Sequence, residues 1–341
     1  MPRPVVLVSD PLPDDALDLL RAACEVRRTD GGDRTRLLAA VADASVLVVR
    51  SGTRVDREVF AHAPLLKGVV RAGVGLDNVD TAAADGAGVS VANTPAANAV
   101  SVAELTVGLA VALARHIPEA AQHVRRGEWN RSAFKGGELA GRTLGVLGLG
   151  RIGRQVVRRL AAFDMTVLAH DPYVADDDCR RAGAEPVTLG ELLARSDLLT
   201  VHLPRTAETE GLIGERELAL AKPGLHLVNT ARGGIVDEDA LARALKDGRV
   251  AAAALDVFAV EPPRDSPLLG LPNVLPTPHL GAGTAEAQHR AGHEAARIAL
   301  RMLESRGLLE AGGPGGTGRP AAPGRTGPER VPLAGTGARG V

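Results

Sequence analysis

The chain has 341 residues, of which 45% are hydrophobic but only 2% aromatic, so aliphatic side chains must form most of its core. This length exceeds what one hydrophobic core usually organises, which predicts two domains. Forty basic residues against 41 acidic ones leave a net charge of −1, a balance that excludes a general nucleic-acid-binding surface.

The sequence carries no signal for export, membrane insertion or disulfide formation. The N-terminal residues contain no apolar signal-peptide segment, and no unbroken apolar run reaches about 18 residues. Cys24 and Cys179 lie far apart and form no CxxC or metal-binding pattern. We therefore expect a soluble protein of the reducing cytoplasm, without membrane association or disulfides.

The N-terminal part of the chain alternates short aliphatic strands with a helix. The pattern predicts strands over residues 5–9, 45–49, 69–70 and 89–92, and a helix over 12–24. None of the turns between them resembles a phosphate-binding loop. We therefore predict an α/β domain that brings substrate contacts to a second domain.

A long apolar segment at residues 98–115 is predicted to be a helix. Ser, Thr and Glu104 interrupt it too often for a membrane span, yet it is too apolar for a free surface. We expect it to be buried between domains or in a subunit interface. Residues 124–141, which include Trp129, Arg131 and Lys135, are predicted to form an excursion leading into the next strand.

The stretch from residue 143 to residue 171 carries the most specific pattern. An apolar strand leads into the turn GLGRIG at 148–153, an amphipathic helix over 152–163 and a second strand over 165–169, after which comes Asp171. Glycine-rich turns are common by themselves. The ordered succession of strand, turn, helix, strand and acid is instead typical of a dinucleotide-binding βαβ unit.

Each glycine of this turn has its own physical reason. Gly148 makes the tight turn, Gly150 lets a pyrophosphate approach the backbone, and Gly153 lets the helix pack closely on the strand. The positive end of the helix dipole then faces the phosphates. Asp171 can accept hydrogen bonds from the adenine ribose and would repel a 2′-phosphate, which predicts NAD rather than NADP as the coenzyme.

The remainder of the chain continues the βα alternation. Strands are predicted over 198–202, 225–229, 252–255 and 274–275, with helices over 189–195 and 237–247, which indicates a parallel sheet covered on both faces. Each strand ends in polar residues, and ligands of such sheets bind at those ends. A last helix over 285–306 is expected to cross back to the first domain. Residues 307–341 are rich in Gly and Pro and are predicted to be a disordered tail.

Three side chains at these strand ends suit the oxidation of a 2-hydroxy acid by a nicotinamide coenzyme. His279 can take the hydroxyl proton, and Glu261 can hold its tautomer and raise its pKa. Arg232 offers a planar fork for the substrate carboxylate. Asp256 is expected to accept a hydrogen bond from the nicotinamide side. Each alone would more often be a surface charge or a helix cap, but their shared position favours a catalytic interpretation.

A metal site is not predicted. His289 and His293 lie four residues apart on the last predicted helix, so they could present two ligands to one ion. The sequence, however, offers no evident third ligand.

Several motifs resemble the D-isomer-specific 2-hydroxyacid dehydrogenase family. The strongest are GLGRIG, NTARGGIVDE (229–238), ALDVFAVEPP (254–263) and PHLGA (278–282). RSGT (50–53), RAGVGLDNVD (71–80), NTPAANAVSVAEL (93–105) and FKGGELAGRTLG (134–145) are most similar to the branch that oxidises D-3-phosphoglycerate. The similarity covers roughly residues 4–306.

The resemblance implies specific roles for residues of this sequence. The catalytic trio would be Arg232, Glu261 and His279. The NAD contacts, beside the three glycines of the turn, would be Val74, Arg151, Ile152, Asp171, His202, Pro204, Thr230, Ala231, Asp256, His279 and Gly281. The substrate, a 2-hydroxy acid that carries a phosphate, would be bound by Arg50, Ser51, Arg71, Gly73, Arg131, Lys135 and Arg232.

The resemblance also implies an architecture of two doubly wound α/β domains. The smaller, flavodoxin-like substrate domain would comprise residues 1–97 and 285–306. The larger, Rossmann-type NAD-binding domain would comprise residues 98–284. Two copies would form a homodimer through their NAD-binding domains, and Arg131 and Lys135 would reach the neighbouring subunit's site.

The sequence leaves the substrate and the class of function open. Only the tail follows residue 306, so we do not expect serine feedback through a C-terminal regulatory domain of the kind that many phosphoglycerate-oxidising relatives carry. Shorter relatives act on glyoxylate, hydroxypyruvate or other 2-oxo acids. A further alternative is an NAD(H)-sensing binding protein similar to the C-terminal-binding-protein corepressors. Formation of NADH on adding D-3-phosphoglycerate would separate an enzyme from such a sensor.

Overall fold

Short aliphatic strands and helices alternate along the chain and build two separate parallel β-sheets. The structure is a computed structural model, and it describes residues 3–309. The predicted fold class, two α/β domains with parallel sheets, is confirmed. Residues 310–341, which make up most of the predicted disordered tail, lie outside the described residues.

The smaller sheet has five strands in the order β2-β1-β3-β4-β5, and every pairing is parallel. This is the flavodoxin-like strand order that we predicted. Its strands are β1 (Val5–Val8), β2 (Glu25–Arg28), β3 (Val46–Val49), β4 (Gly68–Arg71) and β5 (Ser90–Asn93). The helices between them are α1 (Asp14–Arg21), α2 (Arg34–Ala40), α3 (Arg57–Ala61) and α4 (Thr81–Gly86).

Both faces of this sheet are buried, which explains its uninterrupted aliphatic strands. Side chains alternate along a strand, so Val6 and Val8 face one hydrophobic cluster while Leu7 faces another. All three are almost fully buried. The sequence pattern therefore located these inner strands within a residue or two. It missed β2, in which three of the four residues are charged and none is fully buried.

The larger sheet has seven parallel strands in the order β12-β11-β10-β9-β6-β7-β8, which contains the doubly wound Rossmann order. Its strands are β6 (Thr143–Leu147), β7 (Thr166–His170), β8 (Glu185–Pro186), β9 (Leu198–Val201), β10 (Leu225–Asn229), β11 (Val250–Leu255) and β12 (Val274–Pro276). The helices of this part of the chain are α5 (Ala99–Arg115), α6 (Ile117–Arg125), α7 (Arg151–Leu160), α8 (Asp176–Arg181), α9 (Leu189–Arg195), α10 (Glu215–Leu220) and α11 (Glu238–Lys246).

The apolar helix α5 packs mainly within the larger domain, against α7 and strands β10 and β11. We expected it between domains or in a subunit interface. Its apolar residues meet mainly the face of its own sheet rather than the other domain, and the subunit interface stays a prediction. In its first turn, Ser101 Oγ lies 2.8 Å from Oγ1 of Thr284, the residue that directly precedes the final helix. Among the described residues no single helix is long and apolar enough to cross a membrane. The pair α5 and α6, bent by 65° where they meet, reaches that length and hydropathy only when taken together.

The final helix, α12 (Ala285–Ser305), returns to the smaller domain as expected. It packs against α1, β3 and β4 and contributes Ala295, Ala296 and Ala299 to their hydrophobic cluster. Thr284 caps its first turn by accepting a hydrogen bond from the N–H of Ala287. The exact domain boundaries at residues 97 and 284 stay predictions.

Candidate active site

A cleft with a volume of about 740 Å³ lies between the two domains, at the carboxyl ends of strands from both sheets. Most of the predicted site residues line it: Arg50, Ser51, Arg71, Gly73, Val74, Arg151, Ile152, His202, Pro204, Thr230, Ala231, Arg232, Glu261, His279 and Gly281. Predicted residues that do not line it are Gly148, Gly150, Gly153, Asp171, Asp256, Arg131 and Lys135.

The glycine turn between β6 and α7 has the shape that a dinucleotide requires. Gly148 has a φ of +94°, which side chains strongly disfavour. A Cβ at Gly153 would lie 2.1 Å from the carbonyl oxygen of Gly148, so helix and turn could not approach as they do. At Gly150 nothing lies within 4 Å of the Cβ position, which leaves the backbone open to a ligand.

Asp171 follows β7 and holds this turn in place. One carboxylate oxygen accepts the N–H of Leu149 at 2.8 Å, and the other accepts the N–H of Tyr173 at 3.0 Å. Each oxygen keeps a lone pair for a further donor, such as a ribose hydroxyl. Asp171 therefore has a structural role in the turn that the sequence pattern did not indicate.

His202, at the end of β9, lies beneath the turn with both ring nitrogens buried and without a hydrogen-bond partner among the described residues. Burial lowers the pKa of its imidazole to about 3, so the ring is neutral at physiological pH. A buried polar atom without a partner is costly, and a ligand in the cleft is one way to supply it. Together with the open Gly150 and the uncapped start of α7, His202 shows that these residues fit a bound dinucleotide.

The loop after β10 presents Arg232 to the cleft. The side chain of Asn229 braces it, since its Oδ1 accepts the N–H of Ala231 at 3.0 Å and its Nδ2 donates to the carbonyl of Arg232 at 3.0 Å. Gly233 lies so close to the next loop that a Cβ would sit 1.8 Å from the carbonyl oxygen of Phe258. The backbone of the loop is therefore fixed on both sides of Arg232.

Asp77, from the smaller domain, contacts Arg232 across the cleft. Arg232 Nε lies 3.2 Å from Asp77 Oδ2, and Arg232 Nη1 donates to the carbonyl of Ala231 at 2.7 Å. The Cβ position of Gly75 lies only 2.1 Å from Arg232 Nη2, so a side chain there would displace the guanidinium. Sequence reasoning missed Asp77, although it lies within the motif RAGVGLDNVD.

Glu261 and His279 form a hydrogen-bonded pair at the cleft. His279 Nδ1 lies 2.8 Å from Glu261 Oε2, while Glu261 Oε1 accepts the N–H of Phe258 at 3.1 Å. The bond to Glu261 raises the pKa of His279, against a smaller opposing effect of burial. Burial favours a higher pKa for Glu261, but the bonds from His279 and Phe258 outweigh it and lower that pKa.

The backbone of His279 adopts a left-handed conformation, with φ at +53°. Non-glycine residues rarely do so, and such strain is concentrated at functional sites. Asp256 holds the strained loop. Its carboxylate is almost fully buried and accepts the N–H groups of Leu280 and Gly281 at 2.7 and 2.8 Å and the hydroxyl of Thr277 at 2.6 Å. The predicted contact of Asp256 with the nicotinamide stays a prediction beside this positioning role.

Three arginines from both domains gather at the same end of the cleft, namely Arg50, Arg71 and Arg232. Arg71 is mostly buried, and its Nε has no hydrogen-bond partner in the described part of the chain. Burial and the repulsion of Arg232 lower the pKa of Arg71. Its guanidinium lies over Gly73, where a Cβ would be 2.4 Å from Nη1. Among the described residues Asp77 forms an ion pair with Arg232 alone, so the three cations together are suited to a further anion.

Arg131 and Lys135 lie on the exposed excursion between α6 and β6 and do not reach the cleft of their own chain. A short 3₁₀ helix, Arg131–Phe134, forms part of this excursion. The predicted role of both cations in a neighbouring subunit's site therefore stays a prediction.

Known sequences that are similar to this chain agree with the NAD-binding features of the cleft. The sequence model described as D-isomer specific 2-hydroxyacid dehydrogenase, NAD binding domain, matches residues 107–281. D-3-phosphoglycerate dehydrogenase of Mycobacterium leprae is 54% identical over 303 residues, which are 88% of this chain and 57% of that protein. The chain thus spans little more than half the length of such curated relatives. The prediction of an NAD-binding domain is confirmed by the family match.

Solved structures share the same fold over nearly their whole length. A glyoxylate reductase from Paecilomyes thermophila superposes with a TM-score of 0.82 and 32% identity, covering 91% of this chain and 98% of that one. D-lactate dehydrogenase from Aquifex aeolicus, complexed with NAD and lactic acid, superposes with a TM-score of 0.78 and 29% identity, covering 88% and 96%.

Proposed function

The chain belongs to the D-isomer-specific 2-hydroxyacid dehydrogenase family, and we propose that it oxidises D-3-phosphoglycerate to 3-phosphohydroxypyruvate with NAD, the reaction that starts serine synthesis. The observation that carries this proposal is the convergence of Arg232 with the hydrogen-bonded pair Glu261 and His279 in one cleft. The relatives named D-3-phosphoglycerate dehydrogenase, at up to 54% identity, support the choice of substrate.

The residues around the glycine turn hold the coenzyme. The N–H groups that begin α7 would bind the pyrophosphate, Asp171 would accept hydrogen bonds from the ribose hydroxyls, and a ring nitrogen of the neutral His202 would be available to the coenzyme. Bound NAD supplies the acceptor for the hydride that leaves carbon 2 of the substrate. We also propose that Val74, Arg151, Ile152, Pro204, Thr230, Ala231 and Gly281 contact it, since all of them line the cleft.

His279 takes the proton of the substrate hydroxyl as the carbon–hydrogen bond at carbon 2 breaks. Because its Nδ1 is bonded to Glu261, Nε2 is the nitrogen left to face the substrate. Glu261 stabilises the imidazolium that forms, and the loop held by Asp256 keeps the ring in position. In the reverse direction the same imidazolium returns its proton to the new hydroxyl oxygen.

Arg232 binds the substrate carboxylate and polarises the adjacent carbonyl oxygen of the product. Its planar fork can donate two parallel hydrogen bonds, which fixes the orientation of carbon 2 toward the coenzyme. Asp77 holds the guanidinium from the other side. The orientation selects the D isomer, because with the carboxylate on Arg232 and the hydroxyl at His279 only one configuration directs the carbon–hydrogen bond of carbon 2 toward the coenzyme.

Replacing Glu261 by Gln should move the pH profile. Glu261 raises the pKa of His279, so its loss lowers that pKa. Oxidation needs neutral imidazole and rises as pH increases through this pKa, whereas reduction needs imidazolium and falls there. Both limbs should therefore move to lower pH in Glu261→Gln, as measured by kcat/KM in each direction. The exposed Glu215→Gln is the matched control, and limbs that stay in place would contradict the role of Glu261.

The arginine cluster is proposed to bind the substrate phosphate. Arg50, with Ser51 beside it, lines the cleft near Arg71, which lies over Gly73. We expect Arg50→Ala to raise KM for D-3-phosphoglycerate by about tenfold or more, since a charge-assisted contact is lost. KM for an unphosphorylated D-2-hydroxy acid should change far less. Arg54→Ala, an exposed arginine of the same segment, is the control. Equal losses on both substrates would argue against phosphate binding.

A panel of D-2-hydroxy and 2-oxo acids, phosphorylated and not, tests the substrate directly through the absorbance of NADH. D-3-phosphoglycerate should give the highest kcat/KM. Preference for glyoxylate or hydroxypyruvate would favour the reductase alternative. The structural similarity to a glyoxylate reductase supports that alternative. NADH binding without turnover of any acid would favour the sensor alternative.

We further propose that two copies form a homodimer through their larger domains. Ile117, Val124 and Trp129 lie along α6 and the excursion with exposed side chains, and Trp129 is 75% exposed. Such a row of exposed apolar side chains favours a protein partner. In that dimer, Arg131 and Lys135 would extend toward the partner's cleft.

Replacing Trp129 by Asp should shift the protein from dimer to monomer in light scattering coupled to size exclusion, because a charge would be buried in the interface. Leu65→Asp, at an exposed apolar position of the smaller domain, should leave the mass unchanged. A monomeric wild-type protein would contradict the proposal.

We place the protein in the cytoplasm, in keeping with its two free, buried cysteines.

A further inference from the structure

Three metal-ligating side chains meet in the smaller domain, outside the cleft. Asp15 lies in the first turn of α1, and His289 and His293 lie on α12. Their ligand atoms all lie within 4.8 Å of one another. Because residues four apart share one face of a helix, the two imidazoles lie side by side, with ring centroids 4.4 Å apart. Asp15 is the third ligand that sequence spacing could not reveal.

Both imidazoles approach a single carboxylate oxygen. His289 Nε2 lies 2.6 Å and His293 Nε2 lies 2.8 Å from Asp15 Oδ2. The Nε2 of His293 is nevertheless buried and lacks a hydrogen bond of good geometry within the described residues. The proximity of His293 and then of His289 lowers the pKa of Asp15 to about 2, so the carboxylate is ionised at any physiological pH.

We propose that Asp15, His289 and His293 bind a divalent transition-metal ion, of which Zn²⁺ matches the ligands best. Two imidazole nitrogens and one carboxylate oxygen are typical zinc ligands, whereas Mg²⁺ and Ca²⁺ prefer oxygen alone. The three protein ligands leave the fourth tetrahedral position to water. The side chains of His289 and Asp15 are more than half exposed, so an ion can reach them from solvent.

Binding requires only a small adjustment. Tetrahedral zinc ligands lie about 3.3 Å apart, so Asp15 Oδ2 must move away from the two imidazole nitrogens by roughly 0.5 to 0.7 Å. The two nitrogens, which lie no more than 4.8 Å apart, must reach the same spacing. The side chain of Asp15 is free to move, since it lies at the exposed start of a helix. The helices themselves are already close, because Gly292 lets Pro13 pack where a Cβ would be 2.6 Å from Pro13 Cδ.

The ion would link the first and the last helix of the described chain, since Asp15 and His289 are 274 residues apart. It would fasten α12 to α1 and so stabilise the smaller domain. The site does not line the catalytic cleft. We therefore expect an effect on stability and none on the hydride-transfer step, which makes the inference independent of the proposed function.

Calorimetric titration of the chelator-treated full chain with ZnCl₂ tests the site. We expect one ion per chain at this site and a higher thermal midpoint in its presence. His293→Gln and Asp15→Asn should each weaken binding by at least about tenfold and abolish the rise in midpoint. His62→Gln, an exposed histidine of the same domain, should bind like the wild type.

Cobalt provides a second readout, since visible absorption by bound Co²⁺ reports its ligands and geometry. The wild-type chain should develop this absorption and His289→Gln should not. Circular dichroism must show that each variant is folded. No binding by the wild-type chain, or undiminished binding by the folded variants at Asp15 and His293, would overturn the site. A thermal midpoint that changes with pH but not with Zn²⁺ would show instead that the cluster binds protons and no metal ion.

Discussion

Replacing His279 by Asn is expected to lower kcat by about 10³-fold in both directions, the usual cost of losing a general acid–base group. Asn is the informative substitution, because residue 279 has a left-handed backbone that Asn tolerates better than other side chains. Its amide can form hydrogen bonds but cannot act as an acid or a base near neutral pH. Steady-state kinetics with D-3-phosphoglycerate and with the 2-oxo acid would measure the loss.

Binding of the coenzyme separates loss of catalysis from loss of structure in this variant. NADH affinity, measured by fluorescence, should fall far less than kcat, since most of the predicted coenzyme contacts, among them the glycine turn and Asp171, lie elsewhere on the sheet. A variant that binds NADH normally and retains its full kcat would show that His279 is not the proton acceptor. His62→Asn, on the exposed surface of the smaller domain, is the matched histidine control.

Replacing Arg232 by Gln should lower kcat/KM by about 10² to 10³, because the substrate loses its two charge-assisted hydrogen bonds and the polarising cation. Lys at this position keeps the charge but not the fork, so Arg232→Lys should fall between wild type and Arg232→Gln. The loss should appear in both KM and kcat, since Arg232 holds the carboxylate in the ground state and stabilises charge in the transition state.

The control for this series is Arg216→Gln, which removes an exposed charge from α10. Asp77→Asn adds a second test, because it frees the guanidinium that Asp77 now holds at 3.2 Å. It should alter substrate binding more than coenzyme binding. Equal values of kcat/KM for Arg232→Gln and Arg216→Gln would show that Arg232 does not bind the substrate.

Much of the fold could be predicted because its parallel strands are buried on both faces. Such strands are uninterrupted aliphatic runs, and Val46–Val49 shows this clearly, since the predicted strand 45–49 differs from it by one residue. Elements without an apolar run were missed. Neither of two such elements shows a hydrophobic periodicity. One is the edge strand Glu25–Arg28, and the other is the helix Asp176–Arg181, whose first turn holds three aspartates.

The site could be predicted where chemistry follows a strand end, as it does for Arg232 and His279. It could not be predicted where a contact crosses between domains or between distant helices. Asp77 approaches Arg232 only because the two domains face each other, and Asp15 meets His289 only because the last helix returns to the first. The helix at 98–115 was predicted correctly. Most of its packing is on its own sheet rather than between the domains, because a buried apolar face does not identify its partner, and its predicted place in a subunit interface stays a prediction.

The transfer of deuterium from carbon 2 of labelled D-3-phosphoglycerate to the coenzyme tests the central claim most directly. With the wild-type chain, mass spectrometry should find the label in the reduced coenzyme, together with one 3-phosphohydroxypyruvate for each NADH. The L isomer should give none, and His279→Asn should slow the transfer by about the factor expected for kcat. Unlabelled coenzyme from a chain that still binds NAD and the D isomer would contradict the account.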